Sequence, residues 1–154
     1  MIMFRHIIFI ILLSLSMTQV LVKEKPIKLS IKQTIHLGHF TAGMGGGIDT
    51  VNNGVVSGDV FLVDADITTA VVHIEAKSDH WIELTLTSDN TLEDSQGLSM
   101  PIAYRFANSN TTTQIIQTNN KGKASVTIYT QLTVPPHQPS GQYEGHYEVN
   151  AYYL

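Results

Sequence analysis

The sequence contains no cysteine. That excludes the disulfide staples on which many small exported domains rely, and it excludes anchoring through an acylated cysteine. Charged residues make up only 14% of the chain, too few for a disordered polypeptide, which pairs low hydrophobicity with high charge. Basic residues are outnumbered by acidic ones, nine to thirteen, for a formal net charge of −4. A mildly acidic chain is poorly suited to neutralising a phosphate backbone, so nucleic acid is not an expected partner. Beyond residue 22 no stretch shows the 3.6-residue apolar spacing of an amphipathic helix.

What is present first is an apolar start. A short basic segment with Arg5 as its only full charge leads into Ile7-Ile8-Phe9-Ile10-Ile11-Leu12-Leu13-Ser14-Leu15. That run has the roughly 7–15 residues of a secretory h-region and falls short of the roughly 20 needed to span a bilayer. Residues 1–22 are therefore expected to be a signal peptide, with the membrane met only through that export signal. Cleavage after Ser16 or near Val22 is consistent with it. Residues 23–154 remain as one domain, long enough for a self-sufficient core.

That domain alternates with a period of two, which predicts strands, because successive side chains point to opposite faces. The first expected strand places Ile27, Leu29, Ile31, Ile35 and Leu37 on one face and Lys28, Ser30, Lys32, Thr34 and His36 on the other. Its apolar edge is expected to insert between or against sheets. Further strands are predicted at Val60–Val63, Ala70–Ala76, Trp81–Leu86, Ile102–Phe106, Ala124–Val134 and Tyr143–Tyr153, with a short one at Gln114–Gln117. Turns are marked by Asn52-Asn53-Gly54, Ser78-Asp79, Ser88-Asp89-Asn90, Asn108-Ser109-Asn110, Asn119-Asn120-Lys121-Gly122 and Pro135-Pro136-His137-Gln138-Pro139. Asn and Asp suit such places because their side chains bond nearby backbone and tolerate the left-handed region. Many short strands at this spacing predict an all-β, immunoglobulin-like antiparallel sandwich.

Few residues invite chemistry. Gly43, Gly45, Gly46 and Gly47 read as a flexible turn or bulge; a phosphate loop would need a Lys-Ser/Thr pair and a following helix. His36 and His39 are three apart, which on a strand puts them on opposite faces and argues against a shared metal. Asp59, Asp64 and Asp66 read as a solvated loop, since the glycine and distant glutamate of a calcium loop are missing. No histidine pair has zinc-site spacing, and there is no G-x-S-x-G elbow. No enzyme, cofactor or metal is expected. Trp81 opens an alternating strand on its polar face, so it is a candidate ligand contact.

The end of the chain is the most specific part. Leu132-Thr133-Val134-Pro135 leads through Ser140-Gly141-Gln142-Tyr143-Glu144-Gly145-His146-Tyr147-Glu148-Val149, and Gly145 marks a bulge or a close backbone approach. This segment resembles the closing motif of the bacterial secreted family known as domain of unknown function 4402. Leu37-Gly38-His39-Phe40-Thr41-Ala42-Gly43 resembles its opening motif, and Val60-Phe61-Leu62 with Trp81–Leu86 its middle. The family is similar in layout to secreted pilin and spore-coat-U-type domains, although this chain lacks the cysteines of the latter. The resemblance implies a pilin-like sandwich with a surface or fimbria-like role and no catalytic residues. The expected location is the periplasm, the cell surface or the exterior. The first expectation is a structural subunit that pairs, through Ile27–Leu37, with itself or with other surface subunits; against it stands the favoured reading of that strand as the first of its own domain, since the opening motif runs straight on from it. The alternative is a monomeric module that binds glycan or protein through Trp81 and Tyr143, Tyr147, Tyr152 and Tyr153.

Overall fold

A computed structural model describes residues 24–51 and 54–154 of the chain. The expected signal segment, residues 1–22, and the turn residues Asn52 and Asn53 lie outside them. The described residues form ten β-strands and no α-helix: β1 Lys28–Gln33, β2 His36–Asp49, β3 Val55–Thr68, β4 Ala70–Glu75, β5 Trp81–Ser88, β6 Thr91–Glu93, β7 Ser99–Phe106, β8 Thr113–Gln117, β9 Lys123–Val134 and β10 Tyr147–Tyr153. Two antiparallel sheets make a sandwich, one of seven strands and one with the order β10-β5-β8.

β9 organises the larger sheet. Its residues 123–128 pair with β4 and its residues 131–134 with β2. β7 pairs with residues 128–132, overlapping both, so it occupies the opposite edge. β4 and β2 therefore follow one another along one edge of β9. β1 lies outside β4, β3 outside β2 and β6 outside β7. Thr50 bridges the gap between β2 and β4. Its N–H donates to the Thr130 carbonyl at 3.0 Å, and its hydroxyl accepts the Thr130 N–H at 2.9 Å. Both residues are buried, so the side chain stands in for the missing ladder partner.

Alternation builds the core as expected. On β5, Ile82, Leu84 and Leu86 point inward; on β7, Met100, Ile102, Tyr104 and Phe106 do; on β4, Val72 and Ile74; on β9, Val126, Ile128, Leu132 and Val134. The predicted turns at Asp79, Asn90 and Asn110 sit in the left-handed region, at φ of 57°, 58° and 52°. Asn119 accepts the N–H groups of Lys121 and Lys123 with its side-chain oxygen, as a turn-forming Asn does.

Four expectations are corrected. The first strand is not continuous. It breaks at Thr34-Ile35, where the chain passes from the edge of β4 to the partnership with β3. Its apolar edge is only partly inserted: Ile27, Ile35 and Leu37 pack on the core, while Leu29 is 37% and Ile31 59% exposed. Next, the glycine run is the interior of a long strand, β2, rather than a turn between strands. A register shift between Thr41 and Gly45 marks the expected bulge. Gly46 lies between Gly58 on β3 and Val134 on β9, with room for no Cβ. Third, Asp59, Asp64 and Asp66 are on strand β3, where Asp59 Oδ2 accepts the Met44 N–H at 2.9 Å and secures that bulge. Last, the final strand starts at Tyr147, not Tyr143. Residues 138–146 instead cross from one sheet to the other.

Candidate functional site

The feature that stands out is a groove of about 1170 Å³. Its origin can be followed along β9. β2 runs antiparallel to β9 until Gly46 meets Val134, and there β9 stops. Pro135 and Pro136 have no N–H to continue the ladder, and His137 turns away with φ of 54°. One last bond remains, from the His137 N–H to the Gly43 carbonyl at 3.0 Å. β2 itself continues as residues 36–42, paired with β3 on one side. Among the described residues no strand pairs with its other side. The β2–β3 hairpin is curled, since Gly38 and Gly54 both lie against Ile67.

The opposite wall is the crossover 138–147. Tyr143 staples it: its hydroxyl donates to the Pro139 carbonyl at 2.8 Å and accepts from Gln138 Nε2 at 2.9 Å. Glu144 pins it to β6 by a pair of main-chain bonds with Glu93, at 2.8 and 2.9 Å. Gly145 is a close approach, as its sequence position suggested: a Cβ there would sit 2.6 Å from Leu92 Cδ2 and 2.9 Å from the Tyr104 hydroxyl. The floor is apolar, made by Leu92, Met100, Ile102 and Tyr104. The opening motif Leu37–Ala42 and the closing motif around Gln142–Tyr147 thus face one another across one cleft.

The floor tyrosines carry the only marked electrostatic perturbation among the described groups. Burial first, then the neighbouring Tyr147 and Asp89, pushes the Tyr104 phenol up to about 12. Burial raises Tyr147 as well; the two rings are 5.3 Å apart. An ordinary phenol titrates near 10, so Tyr104 stabilises the fold fully below pH 10, and that contribution drains away as pH climbs from about 10 to about 12. The urea midpoint is expected to fall across that window, and Tyr104→Phe to flatten the fall. Equal slopes for both proteins would exclude Tyr104 as its source.

The histidines are rearranged relative to expectation. His36 and His39 were expected on opposite faces, yet their rings lie 6.5 Å apart. Gly38, at φ of 70°, and the register shift between Leu37 and His39 turn them to the same side. With His146 they border the groove. Among the described residues no group of three or more His, Asp or Glu side chains converges as a metal site would require.

The residues singled out from sequence are spread over the arm, the groove wall and the smaller sheet, and Ile31 of the arm itself lines the groove. Ile27, Leu29 and Ile31 belong to an N-terminal arm that sits on the outer edge of β4, all six residues of β1 being exposed. Its start is tied by Lys25 Nζ to the Ala76 carbonyl and by the Tyr153 hydroxyl to the Lys25 carbonyl, both at 2.8 Å. Ile35 and Leu37 follow on the groove wall. Trp81 is 52% exposed on the outer face of the three-stranded sheet. Tyr152 and Ile115 flank Glu83 on that same face, each more than half exposed. The groove itself was not anticipated, although Pro135-Pro136 at the end of a strand was its signal.

A family model described as "Domain of unknown function (DUF4402)" matches residues 27–153. No curated protein matches the chain.

Proposed function

The chain belongs to the family described as a domain of unknown function (DUF4402), and from that premise we propose that it is an exported structural subunit of a surface, fimbria-like assembly whose members join by pairing β-strands. Two features of the sandwich support this reading. One is an amphipathic edge strand with Leu29 and Ile31 left exposed; the other is a strand edge, residues 36–42, that no strand among the described residues pairs on its groove side. Main-chain bonds supply affinity in strand addition, and alternate side chains in pockets supply specificity. No catalytic role is assigned.

A second reading, a monomeric glycan-binding module, draws support from Trp81 and Tyr152 exposed on one sheet face, since aromatic faces suit the apolar side of a sugar ring. One set of variants separates the two. Leu29→Asn with Ile31→Asn removes two exposed apolar side chains and leaves the core untouched. Leu29 and Ile31 are 37% and 59% exposed, about one side chain's worth of surface, so their burial on assembly contributes roughly 1.5–3 kcal/mol in all and association measured by light scattering should weaken about ten- to a hundredfold. Trp81→Ala should leave assembly unchanged. A chain that stays monomeric at about 100 μM, well above the micromolar affinities of weak specific contacts, and binds a glycan array only while Trp81 is intact, would replace the first reading with the second.

A further inference from the structure

Charge is divided sharply between the arm and the body. Residues 23–33 hold four lysines and one glutamate, a formal +3. Residues 34–154 hold three lysines and one arginine against twelve carboxylates, a formal −8. None of the body's lysines or its arginine lines the groove. Lys77, Lys121 and Lys123 cluster at the turn end where Gly122 meets Ala76 and Lys77. Arg105 is held by Asp49 at 2.9 Å. The groove lining contains no lysine or arginine, and its one carboxylate is Glu144. Glu93 and Asp94 stand beside it around an adjoining smaller hollow.

The arm's position in its own chain matches this pattern only in part, through Glu24, which pairs with Lys77. Its basic start lies at the lysine-bearing end, where Lys28 faces a Glu75 that Lys123 already approaches at 3.7 Å. The groove is lined by no lysine or arginine, with Glu93, Asp94 and Glu144 on or beside its rim. The dimensions agree too. Residues 36–42 offer seven residues of open strand edge, and residues 27–33 are seven residues of extended chain with Ile27, Leu29 and Ile31 alternating along them. Such a strand would set its apolar side chains on Leu92, Met100 and Ile102 and turn Lys28 and Lys32 toward the carboxylate-bearing rim.

Resting on the proposed strand-paired assembly, we infer that the groove is the seat for the basic arm, residues 27–33, of a second copy of this chain. Arm and groove are different surfaces, so the contact is heterologous and each copy both gives and receives. Such a contact generates open head-to-tail chains rather than closed dimers, unless its rotation happens to close a ring. It depends on opposite charges at a partly exposed rim, so it weakens with added salt.

The absence of cysteine makes the test clean. Copies carrying Ser30→Cys are mixed with copies carrying Thr41→Cys or Ala42→Cys and oxidised gently. Two adjacent groove positions are used because a one-residue change of register turns every side chain to the other face. A third mixture pairs Ser30→Cys with His73→Cys, the residue opposite Ser30 on β4. Thermal melting of each variant checks its fold. The expected result is a mixed disulfide with one groove position in roughly tenfold excess over the His73 pairing, an excess equivalent to a tenfold preference in affinity. Assembly with cross-linking at His73 instead would mean that arms are exchanged onto β4; that overturns the groove assignment and leaves the strand-paired subunit standing. No cross-link at any position from folded, monomeric protein would overturn both.

Discussion

Replacing Phe106 by alanine is expected to remove about 3–5 kcal/mol of stability, the usual cost of truncating a fully buried aromatic side chain. Phe106 has no exposed surface and is the largest of the fully buried side chains. It sits opposite Ile128, on the strand that both edges of the large sheet share. Its main chain is engaged as well: the N–H donates to the Thr111 carbonyl at 3.0 Å, and the carbonyl accepts from Asn110 at 3.1 Å. Those bonds fix the backbone and resist collapse around the void, which places the loss toward the upper end. A domain of this size has about 5–15 kcal/mol in total, and without disulfides no cross-link limits the unfolded chain. With a urea dependence of roughly 1–3 kcal/mol per molar, the midpoint should drop by about 2 M. Phe106→Leu should recover most of it. A shift below about 0.5 M would mean that β7 and β9 do not pack as described.

Gly46→Ala is expected to be costly for the opposite reason. The strand is clamped on both sides, by Gly58 on β3 and Val134 on β9. A Cβ at Gly46 would lie 2.0 Å from the Ser57 carbonyl oxygen and 3.0 Å from Val60 Cγ2. The obstacle is backbone, not the tip of a flexible side chain, so relief means parting β2 from β3. The loss should reach the upper end of the roughly 1–3 kcal/mol seen for overpacking. The reference is Gly97→Ala, where φ is 81° but nothing lies within 4 Å of the added methyl. That substitution carries only the left-handed penalty of roughly 1–2 kcal/mol. Urea unfolding of the pair separates crowding from conformation; a Gly97 variant less stable than the Gly46 variant would refute the close approach.

These two positions also show how legible the chain was. Phe106 lies in a predicted strand, and alternation alone turns it inward. Gly46 lies in a segment that composition assigns to a turn, because glycine is usually read as freedom. Here it is read by its neighbours instead: three strands meet at one height, and only a residue without a side chain fits among them. The same holds for Gly38, which turns His36 and His39 to one side against simple period-two counting. The groove was equally hidden. Its two walls were both visible as motifs, about a hundred residues apart in sequence, but that they face each other depends on β2 running on where β9 stops.

What the sequence by itself determined is the β class, the alternating core, the turns at Asp79, Asn90 and Asn110 and the exposed face of Trp81. Each follows from local rules: a two-residue period, the burial of one face, and the side-chain chemistry of Asn and Asp. Only the tertiary structure decided which edge β1 occupies, where among the described residues a strand edge is left open, and which side chains line the groove. Those are matters of which distant segments share an edge, and a pairing partner is not written in either strand alone.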